Sequence, residues 1–402
     1  MSSVRWNSPF PYTLAFNLFK QHFEEINRTY WAFVPASNTI KALAKKSLID
    51  DNADPKEYFM VPDEEDKHIA PSYGEWKHNY SEYINYSRLN IVMLLSSCFE
   101  TYLRTVVSLA FESKPGVIID CKDAVDGAGL LKRDITYGEI ANNAYRFRNE
   151  ITEICKGDWN SRFIAFQKYF GNLPPIIIGY TSDLDDFRTT RNNVGHFIGR
   201  KKSDYEAPII FEPIETIRVS HNRILKYFKL IYSTARAIDN YLKENYIGSY
   251  DIIKRYYIAL SKGEIVRAEG TTGSYQLRKM LGSHDLKMVG KAYYDALIAY
   301  CETNYIESEF DCVFSKKRCV KEISRRLNEA SITLKINGEN AKFSSSIFKN
   351  LLKKDNLYTD PKYSRRTVDN THQIQYLHSA ALIDYMVKKI ETNPYAVLDG
   401  LK

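Results

Sequence analysis

With 402 residues, 44% hydrophobic and 26% charged, and a net charge of +7, the chain is not disordered as a whole and has room for two or three domains at roughly 100 to 200 residues each. The opening MSSVRWNSPFPYTLAF has no basic leader before an apolar run, and no stretch of about 18 apolar residues occurs, so neither a secretory signal nor a spanning helix is expected. Cys98, Cys121, Cys155, Cys301, Cys312 and Cys319 form no CxxC pair and read as reduced thiols of a cytoplasmic protein.

The chain reads as mainly α. From Tyr12 to Phe33, Leu14, Leu18, Phe19, Phe23, Ile26 and Tyr30 recur at three- and four-residue steps, as one buried helix face requires. A polar, Pro-containing stretch from Asp50 to Ser72 reads as a surface connection. A long helix over Ser81 to Ser113 follows, with the centre NIVMLLSSCFETYLRTVVSLAF apolar on most sides and Glu100 inside it. Further helices are expected over Tyr137 to Cys155, Trp159 to Phe170, Thr181 to Gly199 and Glu215 to Asn245. For the helix from Thr181, Thr181 or Ser182 can cap the start, Asp183, Asp185 and Asp186 suit the positive end of the dipole, and Gly199 can stop it.

Turn-forming residues at Ile247 to Tyr250 and Glu269 to Ser274 suggest a domain boundary, which divides the chain into an N-terminal helical extension (1–80), a helical bundle (81–248) and a basic C-terminal α+β module (249–402). In that module helices are read over Leu286 to Asn304, Lys316 to Ala330, Ser345 to Lys354 and Gln373 to Ile390. A short β-hairpin is expected at ITLKI-NG-ENAKF, where Asn337-Gly338 separates two alternating runs.

The chemistry-bearing string is RNNVGH, holding Arg191, Asn192 and His196. Four residues apart, Asn192 and His196 share a helix face, so the amide can orient the imidazole. Arg191 lies about 140° away, but its long side chain can reach around or serve a site shared with a second chain. Gly195 lets another backbone or a nucleic-acid strand come close. Such a set suits attack of a ribose 2′-hydroxyl on its phosphate: the imidazole moves protons near neutral pH, and the guanidinium grips phosphate oxygens. Two symmetry-related histidines would divide the acid and base roles, so a homodimer is expected.

Arg191-Asn192-x-x-x-His196 resembles the HEPN signature, an arginine followed by four to six residues and a histidine. The upstream LLSSCFETYLRTVV, with Glu100, Tyr102 and Leu103, is similar to an early helix of prokaryotic HEPN domains, and the likeness spans roughly Ser81 to Asn245. It implies an antiparallel helical bundle, a dimeric cleft, metal-independent cleavage of an RNA substrate, and a toxin or phage-defence role with a regulatory protein or phage-derived trigger. A second match, RRTVDNTH, joins Arg365 and Arg366 to His372, but no central apolar helix precedes it. Glu100 reads either as a support for Arg191 or His196 or as part of a buried polar network. Arg188, one turn before Arg191, reads as a phosphate contact or as a solvated residue.

Positive charge is concentrated near the end of the chain. Between Phe314 and Arg366 stand 14 Lys or Arg against 5 Asp or Glu, a balance of +9 that leaves −2 for the rest. Lys316, Lys317, Arg318, Arg325, Arg326, Lys353, Lys354, Arg365 and Arg366 are candidates for phosphate contacts, with Tyr358 and Tyr363 available for base stacking. No phosphate-cradling P-loop and no HExxH motif occurs, and Cys301, Cys312, Cys319 and His284 match no common zinc spacing, so no cofactor or metal is read. The expectation is an endoribonuclease with Arg191, Asn192, His196 and Glu100 at its centre. The rivals are a non-catalytic HEPN-like binding or partner-sensing protein and a DNA-binding regulator led by the C-terminal module.

Overall fold

The computed structural model describes residues 2–46, 49–59, 65, 68–119, 126–128, 131, 147–201, 215–266, 273–282 and 289–303, together with the backbone of 332–336, 339–343, 364–369 and 372–377. The chain divides into two compact units, one of Met1–Lys114 with Gly127–Asn304 and one of Pro115–Asp126 with Tyr305–Lys402.

The first unit is helical throughout its described residues. In chain order it comprises α1 (Ser2–Trp6), α2 (Leu14–Lys46), α3 (Tyr73–Ser113), α4 (Arg148–Cys155), α5 (Trp159–Phe170), α6 (Pro175–Gly179), α7 (Thr181–Phe197), α8 (His221–Leu242), a π-helical turn (Lys243–Ile247), α9 (Tyr250–Ser261), α10 (Ser274–Gly282) and α11 (Lys291–Thr303). The middle of the unit is α3, against which α2, α7 and α8 pack. Val92, Leu95, Phe99, Tyr102, Leu103, Val106 and Val107 of α3 are all buried. Each such side chain stabilises the fold by about 1.5–3 kcal/mol relative to an exposed one. By length and composition α3 is long and apolar enough to cross a membrane, and half of its most apolar window is buried within the protein.

Several bounds differ from the sequence expectations. Helix α2 continues past Phe33 and through Pro35 to Lys46. Helix α3 begins at Tyr73 rather than Ser81, because the Ser72 side chain accepts from the Glu75 N–H and caps the start. Helix α8 begins at His221, where Ser220 caps by accepting from the Arg223 N–H. Helices α9 and α10 follow the two turns and had no counterpart in the sequence reading; Ile252, Ile253, Tyr256, Tyr257 and Ala259 bury the inner face of α9. Of the helix expected over 137–155, the described part is α4, while 137–146 lie outside the described residues.

The start of α2 is tied down by two buried carboxylates. Asp239 of α8 accepts from the Thr13 N–H at 3.1 Å and the Thr13 hydroxyl at 2.5 Å, and Asp251 of α9 accepts from the Leu14 N–H at 2.7 Å. Tyr102 of α3 donates to the Ala235 carbonyl at 2.9 Å and to Asp239 at 3.4 Å. Burial pushes Asp239 up to about 7 and Asp251 up to about 6, against the opposing pull of those N–H groups. Arg5, fully buried, donates to the Ile247 carbonyl at 2.5 Å and to the Ser113 hydroxyl at 2.6 Å, which fastens α1 to the ends of α3 and the π-helical turn.

In the second unit the described backbone forms two antiparallel pairs. Strand β1 (Ile332–Ile336) pairs with β2 (Glu339–Phe343), and β3 (Ser364–Asp369) pairs with β4 (His372–Leu377). The extended β4 replaces the start of the helix expected from Gln373. Its HQIQYL alternates polar and apolar residues, a period of two that suits a strand. The Asn337-Gly338 dipeptide and the helices expected over 316–330 and 345–354 lie outside the described residues.

Candidate functional site

The face of the helical unit around Glu100 is built by α3, α5 and α7. Helix α7 is locked against α8 by its acidic first turns. Asp186 accepts from Arg223 at 2.6 Å and from the Tyr227 hydroxyl at 2.8 Å, and Asp183 pairs with Lys226 at 2.6 Å. Thr190 donates to the Asp186 carbonyl at 2.9 Å and lies 3.0 Å from the Tyr227 hydroxyl, so α7 is fixed in rotation about its own axis. Burial pushes the Tyr227 phenol up to about 12, with Asp186 adding to the rise and Thr190 and Arg223 opposing it.

This rotation turns Arg191 towards α3. Its Nη2 donates to Glu100 Oε2 at 3.3 Å and its Nη1 to Asn192 Oδ1 at 3.1 Å. Ser96 adds a donor to the other Glu100 oxygen at 3.4 Å. The Nε of Arg191 is buried and, among the described residues, meets no acceptor. One turn earlier, Arg188 donates from Nε to Asp185 at 3.1 Å.

Glu100, Arg191 and Asn192 are therefore brought together, with Arg188 a turn away, whereas His196 stands apart. Its imidazole is exposed, and its ring contact is the edge of Phe197 at 6.3 Å between centroids. The Asn192 amide faces Arg191 rather than the imidazole, so it does not orient His196 in the way helical spacing suggested. Gly195 is exposed, and a Cβ placed there would meet the Met93 methyl at 3.4 Å, an ordinary contact. Just beyond, Ile198 caps the helix in the left-handed region at φ 53°, a conformation that a β-branched residue strongly disfavours.

Sequence reading missed Arg162 of α5. It is 7% exposed, lies over the Trp159 ring at 4.6 Å, and donates from Nε to the Gly157 carbonyl at 3.1 Å. Burial pushes its guanidinium down from the ordinary arginine value; Glu100 and Cys155 raise it, and Arg188 and Arg191 lower it further. The signal that could have found it is the pair of aromatic anchors on α5, Trp159 and Phe163, at helical spacing beside a lone arginine.

Among the candidates of the second unit, Lys316, Lys317, Arg318, Arg325, Arg326, Lys353 and Lys354 lie outside the described residues, and Arg365 and Arg366 are seen as backbone of β3, opposite Tyr376 and Gln375 of β4. His372 opens β4 opposite Asp369. Cys98 and Cys155 are free thiols, and no group of three or more His, Cys, Asp or Glu able to hold a metal ion occurs among the described residues.

Residues 308–402 match the family model of an EC042_2821-like Restriction Endonuclease-like domain. No curated protein and no solved structure matches the chain. The family match corrects the expectation of a HEPN ribonuclease. It falls on the C-terminal segment and is of endonuclease type, whereas the HEPN resemblance rested on residues 81–245. The physical reason is that Arg-x4-His is a permissive pattern on a helix: side chains five residues apart diverge by about 140°, and here the arginine turns inward to Glu100 while the histidine faces water. The RNA-specific reaction, its metal independence, the toxin or phage-defence role and the rival readings as a silent HEPN-like protein or a DNA-binding regulator fall with it. What the match supports is the coarser class, a nuclease-like hydrolase.

Proposed function

We propose that the protein is a nuclease that hydrolyses DNA phosphodiesters, with its cleaving chemistry carried by residues 308–402. The observation that carries this reading is that the restriction-endonuclease-like match coincides with the most basic part of the chain. Fourteen Lys or Arg against five Asp or Glu between Phe314 and Arg366 attract a polyanion and hold its phosphates by charge, whatever the base sequence. Lys316, Lys317, Arg318, Arg325, Arg326, Lys353, Lys354, Arg365 and Arg366 supply that grip. Hydrolysis requires a water to attack phosphorus, the P–O bond to the leaving oxygen to break, and that oxygen to take up a proton while negative charge on the phosphorane is neutralised.

Nucleases commonly draw that neutralisation from divalent cations held by carboxylates. The carboxylate side chains of residues 308–402 lie outside the described residues.

The test is to incubate the purified full-length protein with supercoiled plasmid, linear duplex DNA and RNA, in Mg²⁺, in Mn²⁺ and in EDTA. Alongside it, Asp and Glu of the matched segment are replaced one at a time by Asn and Gln, beginning with Glu339 on β2 and Asp369 on β3. Duplex DNA is cut, and at least one substitution abolishes cutting while leaving DNA binding intact. Cutting of RNA alone, or cutting that survives the entire scan, overturns the reading.

A further inference from the structure

Three arginines, Arg162 of α5 and Arg188 and Arg191 of α7, lie within electrostatic reach of one another beside Glu100 of α3. Their placement follows from the packing of α5 on α7. The Trp159 N–H donates to Asp185 Oδ1 at 3.4 Å, drawing the first turn of α5 onto α7, and Arg188 donates to the same oxygen at 3.1 Å. The Arg162 guanidinium then lies over the Trp159 ring, and one turn along α7 from Arg188 comes Arg191 with its Glu100 partner at 3.3 Å.

The cluster is richer in donors than in acceptors. Among the described residues Arg162, 7% exposed, donates from Nε to the Gly157 carbonyl, and the buried Nε of Arg191 has no hydrogen-bond acceptor. Three guanidiniums face two carboxylates, Asp185 and Glu100. A buried cation short of acceptors is costly, and proteins keep one where a ligand supplies the missing charge. The side chains of Arg188, Arg191 and Glu100 are 33%, 28% and 39% exposed, so the cluster opens to water.

The geometry points to a phosphate-binding site at Arg162, Arg188 and Arg191, in which Glu100 occupies the place of the anion until a phosphoryl group displaces it. Guanidinium forks match phosphate oxygens two at a time, and a phosphoryl group brings more acceptor positions than the carboxylate it replaces. Glu100 is then a built-in competitor: it keeps the arginines arranged in the empty state and weakens binding by its own charge. The site belongs to the helical unit and stands or falls independently of cleavage by residues 308–402.

Calorimetric titration of the full-length protein with inorganic pyrophosphate tests this. The wild type binds saturably; Glu100→Gln binds about tenfold more tightly and Arg191→Gln about tenfold or more weakly, with the helical circular dichroism of all three alike. Tighter binding by Glu100→Gln is the decisive reading, because a carboxylate that merely braces the fold leaves affinity equal or lower when neutralised. A 5′-phosphorylated trinucleotide and its dephosphorylated twin, used as competitors, separate a terminal phosphate from a strand diester as the source of the anion. Equal pyrophosphate affinity in the three proteins, or no saturable binding by Glu100→Gln, overturns the proposal.

Discussion

Glu100 and Asp239 are carboxylates of the same helical unit in opposite surroundings. Asp239 is fully buried and meets an amide, a hydroxyl and a phenol, all neutral donors. Glu100 is half-exposed and meets a guanidinium with two more nearby. Neutral donors around a buried acid satisfy its oxygens without returning its lost hydration, so Asp239 holds its proton towards neutrality and serves as a fastening. Cationic partners at a wet surface contribute little to folding but form an arrangement that an outside anion can enter.

The largest effect that probes this contrast is Asp239→Ala, which strands the Thr13 N–H and hydroxyl at the start of α2, while Tyr102 keeps the Ala235 carbonyl. It lowers stability by about 3–5 kcal/mol in chemical denaturation, against less than about 1 kcal/mol for Glu100→Gln. Similar losses in the two proteins would erase the distinction.

A smaller effect is the response to pH. Asp239 and Asp251 have folded-state values of about 7 and about 6, above the ordinary carboxylate value. Above pH 7 both are ionised whether the chain is folded or not, and the folded state bears the burial penalty. As pH falls through 7 and 6 the folded chain takes up protons that the unfolded chain still lacks, and stability grows until the unfolded carboxylates protonate near pH 4. Denaturation midpoints therefore rise from pH 8 to pH 6 by the equivalent of about 2 kcal/mol, and the slope flattens in Asp239→Asn. A wild-type midpoint that falls over this range would show that the two carboxylates are held ionised.

The smallest effect concerns the end of α7. Ile198 is 67% exposed, so little packing is lost by removing it, and its left-handed backbone favours glycine. Ile198→Gly raises stability by about 1 kcal/mol in thermal or urea unfolding. A loss of stability would mean that the exposed side chain covers something that glycine leaves bare.

Helix existence was legible where apolar residues recur at three- and four-residue steps, as in α2, because burial enforces the period. Boundaries were not, because they depend on single capping side chains such as Ser72 and Ser220. Asp183, Asp185 and Asp186 were readable as a dipole-friendly helix start, yet each also holds a cation, Lys226, Arg188 and Arg223 respectively. Two of these partners come from α8, more than a turn of any helix away in sequence, and spacing cannot report them. The pairing of Glu100 with Arg191, 91 residues apart, was readable only as one of two options, and Arg162 is marked in the sequence only by Trp159 and Phe163 beside it, which read first as core anchors. The nuclease-type segment escaped because the Arg-His spacing of α7 drew attention to the helical half of the chain, while the charge balance already pointed to the other end.

The anchors of α2 lie 226 and 237 residues downstream of the amides they receive, and Arg5 is fastened to a carbonyl 242 residues on. A chain emerging from the ribosome can lay α2 on α3, but it must complete α9 before the start of α2 meets both of its carboxylate anchors. Phe16 and Phe19, both buried in the finished protein, meet Tyr102 of α3 and Tyr232 of α8, so their cover is complete only once α8 has emerged, an interval in which a chaperone or a neighbouring nascent chain can compete for them.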